Sequence, residues 1–375
     1  MIKQKRIIIV GAGPVGCYMA QLLKHKGLDS LLIEEHKEIG RPVHCAGLVG
    51  KKVFDEMQIS PPVKSIINTI NGAEFFMEDN KVELSRDNVA YVIDREQFDK
   101  ELGKNLNIRF ETKFIGLEKE NGSYIVETDR GEIEADIVIG ADGARSAVRD
   151  FVISNRVDYL KGVQFRMKLN KNYNKNVEVH IEKPYFYWII PEPSDIVRIG
   201  VLSMNPYHDL TSFIKEKKIE GKILAKFAGM VPLTHFKSLS KDGVFLVGDS
   251  ASQIKPLSYG GIYMGMRAAE ILVDCIYKED YKQYSSRWHK HFGRELNVAL
   301  KARDIFQKLE KNELKKIFSF VKEKSSLIEK KGDFENHSLL VWEFLKDPNI
   351  SKEVIGILLR VIKAAFRNKK SPEEF

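Results

Sequence analysis

The sequence predicts an α/β protein in which a βαβ unit is combined with an antiparallel sheet domain and a helical C-terminal region. Three observations predict this class. A glycine-rich motif directly follows an apolar run near the N-terminus. Segments of alternating polarity, typical of half-buried strands, occupy the middle of the chain, and amphipathic helical patterns occupy its end.

The βαβ unit begins with the apolar run 7–10, which leads into the motif Gly11-Ala-Gly13-Pro-Val-Gly16. A helical stretch follows, and then a second apolar run that ends at Glu34. In this context Gly11 allows the tight turn, Gly13 allows close approach of a pyrophosphate, and Gly16 allows close packing of helix on strand. Glu34 is placed to accept hydrogen bonds from a ribose. A Rossmann-like dinucleotide site is therefore favoured over a glycine-rich turn without a ligand.

Two further strands end in acidic turns. One precedes Asp142 within residues 134–146, and the other precedes Asp249 and is followed by Gly260-Gly261-Ile262. Ligands of open α/β sheets lie beyond the carboxyl ends of the strands, so three such ends can meet around one extended cofactor.

The domains follow from these motifs and from the strands between them. Residues 73–77 and 81–84 are predicted to form a hairpin, and residues 170–176 a polar turn. Further antiparallel strands are predicted at 162–169, 177–181, 185–190 and 196–202. We expect a discontinuous cofactor domain over 1–70, 95–150 and 240–280, a sheet domain for substrate over 71–94 and 151–239, and a helical region over 281–375.

The last predicted helix, residues 353–370, has an apolar face and one cationic stripe. The stripe consists of Arg360, Lys363, Arg367 and Lys370. Such a helix can lie on an anionic bilayer surface. The alternative, which we favour, is a helix that covers the sheet domain while its charges remain in water.

Composition limits the class of protein. The net charge is +8, with basic and acidic residues interleaved, so no nucleic-acid partner is expected. No apolar run of transmembrane length and no signal-peptide pattern occurs, which favours the cytoplasm, with peripheral contact at the inner membrane surface as the further option. Cys17, Cys45 and Cys275 lack metal-ligand spacing, so no metal site is predicted.

These motifs resemble FAD-dependent oxidoreductases of the p-hydroxybenzoate hydroxylase type. Within that group the chain is most similar to the geranylgeranyl reductase family, which includes archaeal digeranylgeranylglycerophospholipid reductases. The distinguishing segments are 40–48, GRPVHCAGL, and 186–191, FYWIIP, which is close to the family pattern Tyr-x-Trp-x-Phe-Pro. The resemblance covers roughly residues 1–290.

The resemblance implies FAD as the cofactor and specific residues around it. Glu34 would bind the adenosine ribose, a backbone group near Phe114 the adenine, and Asp249 the ribityl chain. Gly261 and Ile262 would offer N–H groups to the pyrimidine edge of the flavin. The full implied set is Gly11, Gly13, Pro14, Val15, Gly16, Glu34, Arg41, Cys45, Ala46, Gly47, Leu48, Arg95, Phe114, Asp142, Asp249, Gly260, Gly261 and Ile262.

The chain departs from the family pattern at two positions. Tyr259 stands where the family usually has the first glycine of Gly-Gly-Gly-Ile, and Phe186 replaces the family tyrosine. The first departure adds a side chain near the flavin. The second removes a hydroxyl near the substrate.

In the implied reaction the prenyl double bond is not polarised, so both a hydride and a proton are needed. The hydride is added to one carbon and the proton to the other. An aromatic face can stabilise the positive charge that develops. Tyr185, Tyr187, Trp188 and Tyr259 are the predicted substrate residues, and Tyr187 and Trp188 are predicted to be catalytic, although core packing is the alternative for each. The sequence does not identify the proton donor. Cys45, which is predicted to be catalytic, is one candidate and His44 is another; a small buried hydrophobe is the alternative for the cysteine.

The expected function is therefore an FAD-dependent reductase of geranylgeranyl chains, in particular those of archaeal-type membrane ether lipids. No second G-x-G-x-x-G motif is present, so the electron donor is expected to be NAD(P)H bound transiently or a small redox protein. One alternative is a flavin monooxygenase or halogenase, since residues 188–191 faintly resemble a halogenase motif. The other is a non-catalytic FAD-binding protein associated with membranes.

Overall fold

The computed structural model describes residues 5–170, 176–347, 350 and 352–366, except the side chains of residues 353 and 366. The strands in chain order are β1 (Ile7–Val10), β2 (Ser30–Ile33), β3 (Leu48–Gly50), β4 (Ile66–Met77), β5 (Asn80–Ile93), β6 (Ile108–Arg109), β7 (Phe114–Glu120), β8 (Ser123–Thr128), β9 (Gly131–Ala135), β10 (Ile137–Gly140), β11 (Tyr159–Leu169), β12 (Val177–Glu182), β13 (Tyr185–Pro191), β14 (Ile196–Ser203), β15 (Gly221–Pro232), β16 (Ser240–Lys241) and β17 (Val244–Leu246). The α-helices are α1 (Pro14–His25), α2 (Lys52–Asp55), α3 (Arg95–Leu102), α4 (Arg149–Val152), α5 (Pro206–Glu216), α6 (Ile262–Tyr277), α7 (Gln283–Lys308), α8 (Lys311–Glu323), α9 (Ser325–Lys331), α10 (Ser338–Leu345) and α11 (Lys352–Phe366).

The first sheet has the order β16-β17-β10-β1-β2-β6. Its strands are parallel except for the edge strand β16. All four residues of β1 and of β10 are buried. Both faces of a parallel sheet are covered by other elements, which explains why these strands are continuous apolar runs. The predicted α/β class with a Rossmann-like unit is confirmed.

The second sheet has the order β15-β11-β14-β13-β12-β4-β5-β3. The predicted hairpin is β4 and β5, and the further predicted strands are β11 to β14. One pairing differs from the expected antiparallel sheet, because β12 joins the open edge of β4 and runs parallel to it. A smaller sheet of β7, β8 and β9 accompanies the first.

Strand pairing bears on the predicted domain limits. Strand β3 and residues 66–70 were expected in the cofactor domain, yet both pair within the second sheet. The segment predicted to belong to the cofactor domain therefore contributes strands to the second sheet. Most of the predicted polar turn 170–176 lies outside the described residues.

The C-terminal region is helical, as expected. On α11 the apolar residues Val354, Ile357 and Val361 are buried, and Arg360 forms an ion pair with Glu313 of α8. This agrees with the interpretation of α11 as a packing helix; positions 367 and 370 of the predicted cationic stripe lie outside the described residues. Within the part of the chain that is described, no helix has both the length and the apolar character needed to cross a membrane.

Candidate active site

The glycine-rich turn between β1 and α1 has a different constraint at each glycine. Gly11 has φ +98°, a conformation that favours glycine. A Cβ atom on Gly16 would overlap the carbonyl oxygen of Gly11, so only glycine allows α1 to start this close to β1. A Cβ atom on Gly13 would have nothing within 4 Å. The turn is therefore closed on the protein side and open at Gly13, where a pyrophosphate is expected.

Glu34 at the end of β2 is already oriented by backbone donors. Its Oε2 accepts a hydrogen bond of 2.8 Å from Ala12 N, and its Oε1 accepts one of 3.1 Å from His36 N. The side chain is 12% exposed. The carboxylate thus lies beside the glycine turn, as the ribose-binding role requires.

The third motif packs on the first. A Cβ atom on Gly248 would lie 3.3 Å from Val15 Cγ2, and one on Gly265 of α6 would lie 2.6 Å from the same atom. Asp249 lies so close to the start of α6 that a Cβ atom on Gly261 would be 2.7 Å from its Oδ1. The end of β17 and the N-terminus of α6 therefore meet the glycine-rich turn around Val15.

Asp142, at the end of the second motif, is held on one side only. Its Oδ2 accepts hydrogen bonds from Ala147 N at 2.8 Å and Val148 N at 3.2 Å. Its Oδ1 is buried and has no hydrogen-bond partner among the described residues. Burial raises the pKa of this carboxyl group. A buried polar atom without a partner is rare, and a bound polar ligand would provide one.

Arg95, the first residue of α3, connects the remaining parts of the site. It donates two hydrogen bonds to the Asp99 carboxylate, at 3.2 and 2.9 Å. Burial opposes its charge, but Asp99 and Cys45 hold its pKa above the ordinary value. Burial also raises the pKa of Asp249, against the attraction of Arg95 and Arg149. Arg95 thus stands near both Cys45 and Asp249, which are distant in sequence.

The segment 45–48, named here the Cys45 turn, is tightly fixed. Gly47 has φ +70° and its N–H donates to Cys45 Sγ at 3.3 Å. Arg198 of β14 donates hydrogen bonds to Ala46 O at 2.6 Å and to Ile93 O at 3.1 Å. A Cβ atom on Gly47 would overlap the Arg198 guanidinium. The second sheet therefore holds the turn predicted to pass beside the flavin.

Arg198 belongs to a buried charge network that we did not predict. Glu192, whose side chain is 2% exposed, lies between Arg198 and Arg166. Burial disfavours the carboxylate, but the two arginines lower the pKa of Glu192 below its ordinary value. The sequence did contain a signal for this network, because Arg198 is a charged residue within an otherwise apolar strand and so requires a buried partner.

An aromatic wall lies on the face of β13 that carries Phe186 and Trp188. The Phe186 ring is 6.3 Å from that of Trp188 and stacks on Tyr259 at 6.1 Å. Trp188 Nε1 donates to Gln164 Oε1 at 2.9 Å. Gly200, opposite Trp188 in β14, leaves room for the indole, since a Cβ atom there would overlap its ring. Sequence reasoning missed both Gln164 and Gly200.

Two of the predicted substrate residues are not part of this wall. Side chains alternate between the faces of a strand, so Tyr185 and Tyr187 point away from Trp188. Tyr187 is 8% exposed and stacks on Phe213 of α5, with centroids 4.2 Å apart. Tyr185 packs against the same cluster. The structure thus places Tyr187 in the core and not in the wall, where Phe186 lies instead.

The Cys45 turn and the wall share one apolar cluster. Ala46, Leu48 and Trp188 pack on the same buried residues, among them Ile190. The predicted site residues Cys45, Trp188 and Tyr259 thus occupy one region.

Other predicted residues lie at its periphery. The Arg41 side chain is 61% exposed and forms an ion pair with Glu96 at 2.9 Å. Phe114 is buried against Phe151. No cluster of three or more metal-binding side chains occurs in the described part of the chain.

The residues present fit FAD. The turn is open at Gly13, Asp142 Oδ1 is a buried atom without a partner, and Glu34 and Asp249 stand at strand ends where ribose and ribityl hydroxyls would bind. These are the donors and acceptors that an extended flavin dinucleotide requires.

Comparison with known proteins decides the family. The pyridine nucleotide-disulphide oxidoreductase family model matches residues 8–156. The uncharacterized protein MJ1520 of Methanocaldococcus jannaschii is 33% identical, over 95% of this chain and 97% of that protein. The digeranylgeranylglycerophospholipid reductase of Methanocella arvoryzae is 29% identical, over 94% of this chain and 98% of that protein. The chain belongs to the same family as MJ1520 and is similar to the archaeal digeranylgeranylglycerophospholipid reductases.

A solved structure shares the fold of this chain. The solved structure of a geranylgeranyl bacteriochlorophyll reductase-like protein from Thermoplasma acidophilum has a TM-score of 0.72, with 21% identity and coverage of 97% of each chain. The protein is an FAD-dependent oxidoreductase.

Proposed function

We propose that this enzyme hydrogenates carbon–carbon double bonds of geranylgeranyl chains, and that these chains belong to membrane ether lipids. The observation that carries the proposal is the aromatic wall of Phe186, Trp188 and Tyr259 beside the Cys45 turn. The names of the archaeal relatives support the lipid class. The isoprenoid lipid is the proposed substrate.

When bound and reduced, FAD supplies the hydride. The chain's own residues must then accommodate the positive charge that develops on the tertiary carbon and deliver a proton to the other carbon. The face of the Trp188 indole is suited to the first task. Its ring is fixed by the hydrogen bond to Gln164, so its π face has one orientation.

Cys45 is the proposed proton donor. Its thiol interacts with the Arg95 guanidinium, which would stabilise the thiolate that remains after proton transfer. Hydride to one carbon and a proton to the other add two hydrogens and two electrons to the double bond, and so the product gains two mass units. His44 is less suited, because its Nδ1 already pairs with Ala228 O at 2.6 Å.

The decisive experiment mixes the dithionite-reduced holoenzyme anaerobically with geranylgeranyl lipids. We expect a gain of two mass units per reduced bond and return of the oxidised flavin absorbance. Cys45→Ala and Trp188→Leu should reduce turnover at least tenfold while FAD stays bound. Tyr187→Phe is the matched control in the same strand and should leave turnover unchanged.

The contrary outcomes are distinct. Hydroxylated or halogenated products formed under oxygen would indicate a monooxygenase or halogenase. Bound FAD without reoxidation by any prenyl lipid would indicate a non-catalytic protein. Full turnover in Cys45→Ala would leave the reductase proposal intact but exclude Cys45 as the proton donor.

The electron donor and membrane contact are part of the same proposal. We infer NAD(P)H or a small redox protein as the donor, and peripheral contact with a membrane as the route to the lipid. The rate of flavin reduction by NADH or NADPH under anaerobic conditions tests the first. Co-sedimentation with vesicles tests the second.

A further inference from the structure

A buried ion pair joins the C-terminal region to the loop that leads into α6. The ammonium of Lys255 lies 2.9 Å from Glu335 Oε2, and the two side chains are 5% and 3% exposed. Lys255 Nζ also donates to Phe334 O at 3.0 Å and lies 4.3 Å from the centre of the Phe334 ring. This pair lies outside every motif predicted from the sequence.

Lys255 forms part of the loop that carries Gly260 and Gly261. Its N–H donates to Gly260 O at 3.0 Å, and its carbonyl accepts from Tyr259 N at 2.9 Å. A Cβ atom on Gly260 would be 2.9 Å from Lys255 Cε and 3.4 Å from Nζ. The charged end of Lys255 is therefore packed against Gly260, the neighbour of Gly261, which is expected to face the pyrimidine edge of the flavin.

Glu335 is delivered by the segment 333–338, which is anchored at both ends. Asp333 forms an ion pair with Lys52 at 2.7 Å. The carboxylate of Glu295 accepts hydrogen bonds from His337 N and Ser338 N, each at 2.9 Å. These contacts place the Glu335 carboxylate against Gly50 of β3 and beside Lys255.

A gain in folding stability does not by itself explain an ion pair that is buried this deeply. Removing two charges from water costs several kcal/mol per ion, and their attraction repays this only with excellent geometry. Here Glu335 Oε2 has no hydrogen-bond partner among the described residues, although the ammonium is near. An apolar pair of similar volume would be expected to be as stable, so the charges call for another role.

We propose that Lys255, held by Glu335, is the cation that sets the reduction potential of the bound flavin. Reduction places negative charge at the pyrimidine edge, where a nearby ammonium stabilises it and makes the cofactor easier to reduce. Glu335 keeps the ammonium in place and offsets part of its field. The proposal rests on the FAD assignment and not on the lipid substrate.

The test is the midpoint potential of the purified holoprotein, measured against a reference dye without any lipid. Lys255→Met should shift the potential to more negative values, because it leaves the Glu335 charge alone. Glu335→Gln should shift it to more positive values, because the ammonium is no longer offset. Lys255→Arg should restore a value close to wild type. Lys52→Met, which breaks the more exposed contact of the same segment, is the matched control and should leave the potential unchanged.

The directions of the potential shifts distinguish an electrostatic role of the Lys255–Glu335 pair from a purely structural one. If the pair only supports the fold, Lys255→Met and Glu335→Gln will shift the potential in the same direction or leave it unchanged, and that result overturns the proposal. Should Lys255→Met lose FAD, the double variant K255M/E335Q removes both charges and leaves no buried ion. It should be harder to reduce than wild type, because the charge packed against Gly260 is the one lost. An unchanged potential in the double variant also overturns the proposal.

Discussion

The ring of Tyr259 stacks on the ring of Phe186, with centroids 6.1 Å apart and planes 12° apart. These are the two positions at which the chain departs from the family pattern, so the two departures form one contact. Tyr259 has φ +58°, a conformation that costs a non-glycine residue about 1 kcal/mol or more. The stack offsets this cost, since aromatic pairs add about 0.5–1.5 kcal/mol beyond burial.

The first prediction concerns access to the flavin. Tyr259→Gly relieves the backbone strain but removes one side of the aromatic wall. We expect the reduced flavin to be oxidised by oxygen several-fold faster, because the site becomes more open. Stopped-flow absorbance after dithionite reduction measures this rate. Tyr259→Phe keeps the stack and should match wild type; equal rates in all three proteins would show that Tyr259 does not limit access.

The second prediction separates cofactor binding from folding at the glycine turn. Gly13→Ala adds a methyl group in open space, so the thermal stability of the apoprotein should be unchanged while FAD affinity falls at least tenfold. Gly16→Ala places a methyl group on Gly11 O and should prevent folding or lower the melting temperature strongly. Fluorescence titration with FAD and thermal melting provide the two measurements. A Gly13→Ala variant that binds FAD normally would contradict the predicted pyrophosphate site.

The third prediction concerns the buried Glu192 network. Arg198→Met leaves a buried carboxylate with one partner and removes donors to the Cys45 turn, so the free energy of unfolding should fall by about 3 kcal/mol at neutral pH. Urea denaturation measures it. Arg166→Met, which removes the more exposed partner of the same carboxylate, should cost less.

The same network makes stability depend on pH. Arg166 and Arg198 lower the pKa of Glu192 in the folded state, so its contribution is present above the unfolded value of 4.5. It is lost as the pH falls through the folded-state pKa. The Arg198→Met variant should lose less stability on acidification than wild type does. An identical acid response in both would show that Glu192 is not the titrating group.

The fourth prediction concerns His235. Burial, with Arg303 and His289 nearby, lowers its pKa to about 4 from 6.5, and its Nε2 has no hydrogen-bond partner within the described ranges. Between pH 4 and pH 6.5 the unfolded chain binds a proton at His235 that the folded protein does not bind. The free energy of unfolding therefore falls as the pH falls. The loss is at most roughly 3 kcal/mol, since one pKa unit is worth about 1.36 kcal/mol. His235→Gln should reduce this loss between pH 7 and pH 4, and His25→Gln, at an exposed histidine, should not.

The sequence predicted the parts of the site that depend on local chain geometry. These parts are the Gly11–Gly16 turn with Glu34 and the strand ends at Asp142 and Asp249. Each is a short motif that depends on local backbone conformation, so the sequence is enough to predict it. The strands were also predictable from the sequence, since alternating polar and apolar residues, or continuous apolar runs, reflect which faces of a strand are buried.

Sequence could not decide which side chains meet across the sheets. Periodicity shows that residues 185–190 form a strand, but not which face meets the cofactor, and Tyr187 was therefore placed with Trp188 although it packs on Phe213. Two further contacts join residues far apart in the chain. They are the ion pair of Lys255 with Glu335 and the hydrogen bond from Arg198 to Ala46 O. Local propensity determined the elements, whereas these contacts depend on strand register and helix docking, which only the folded chain sets.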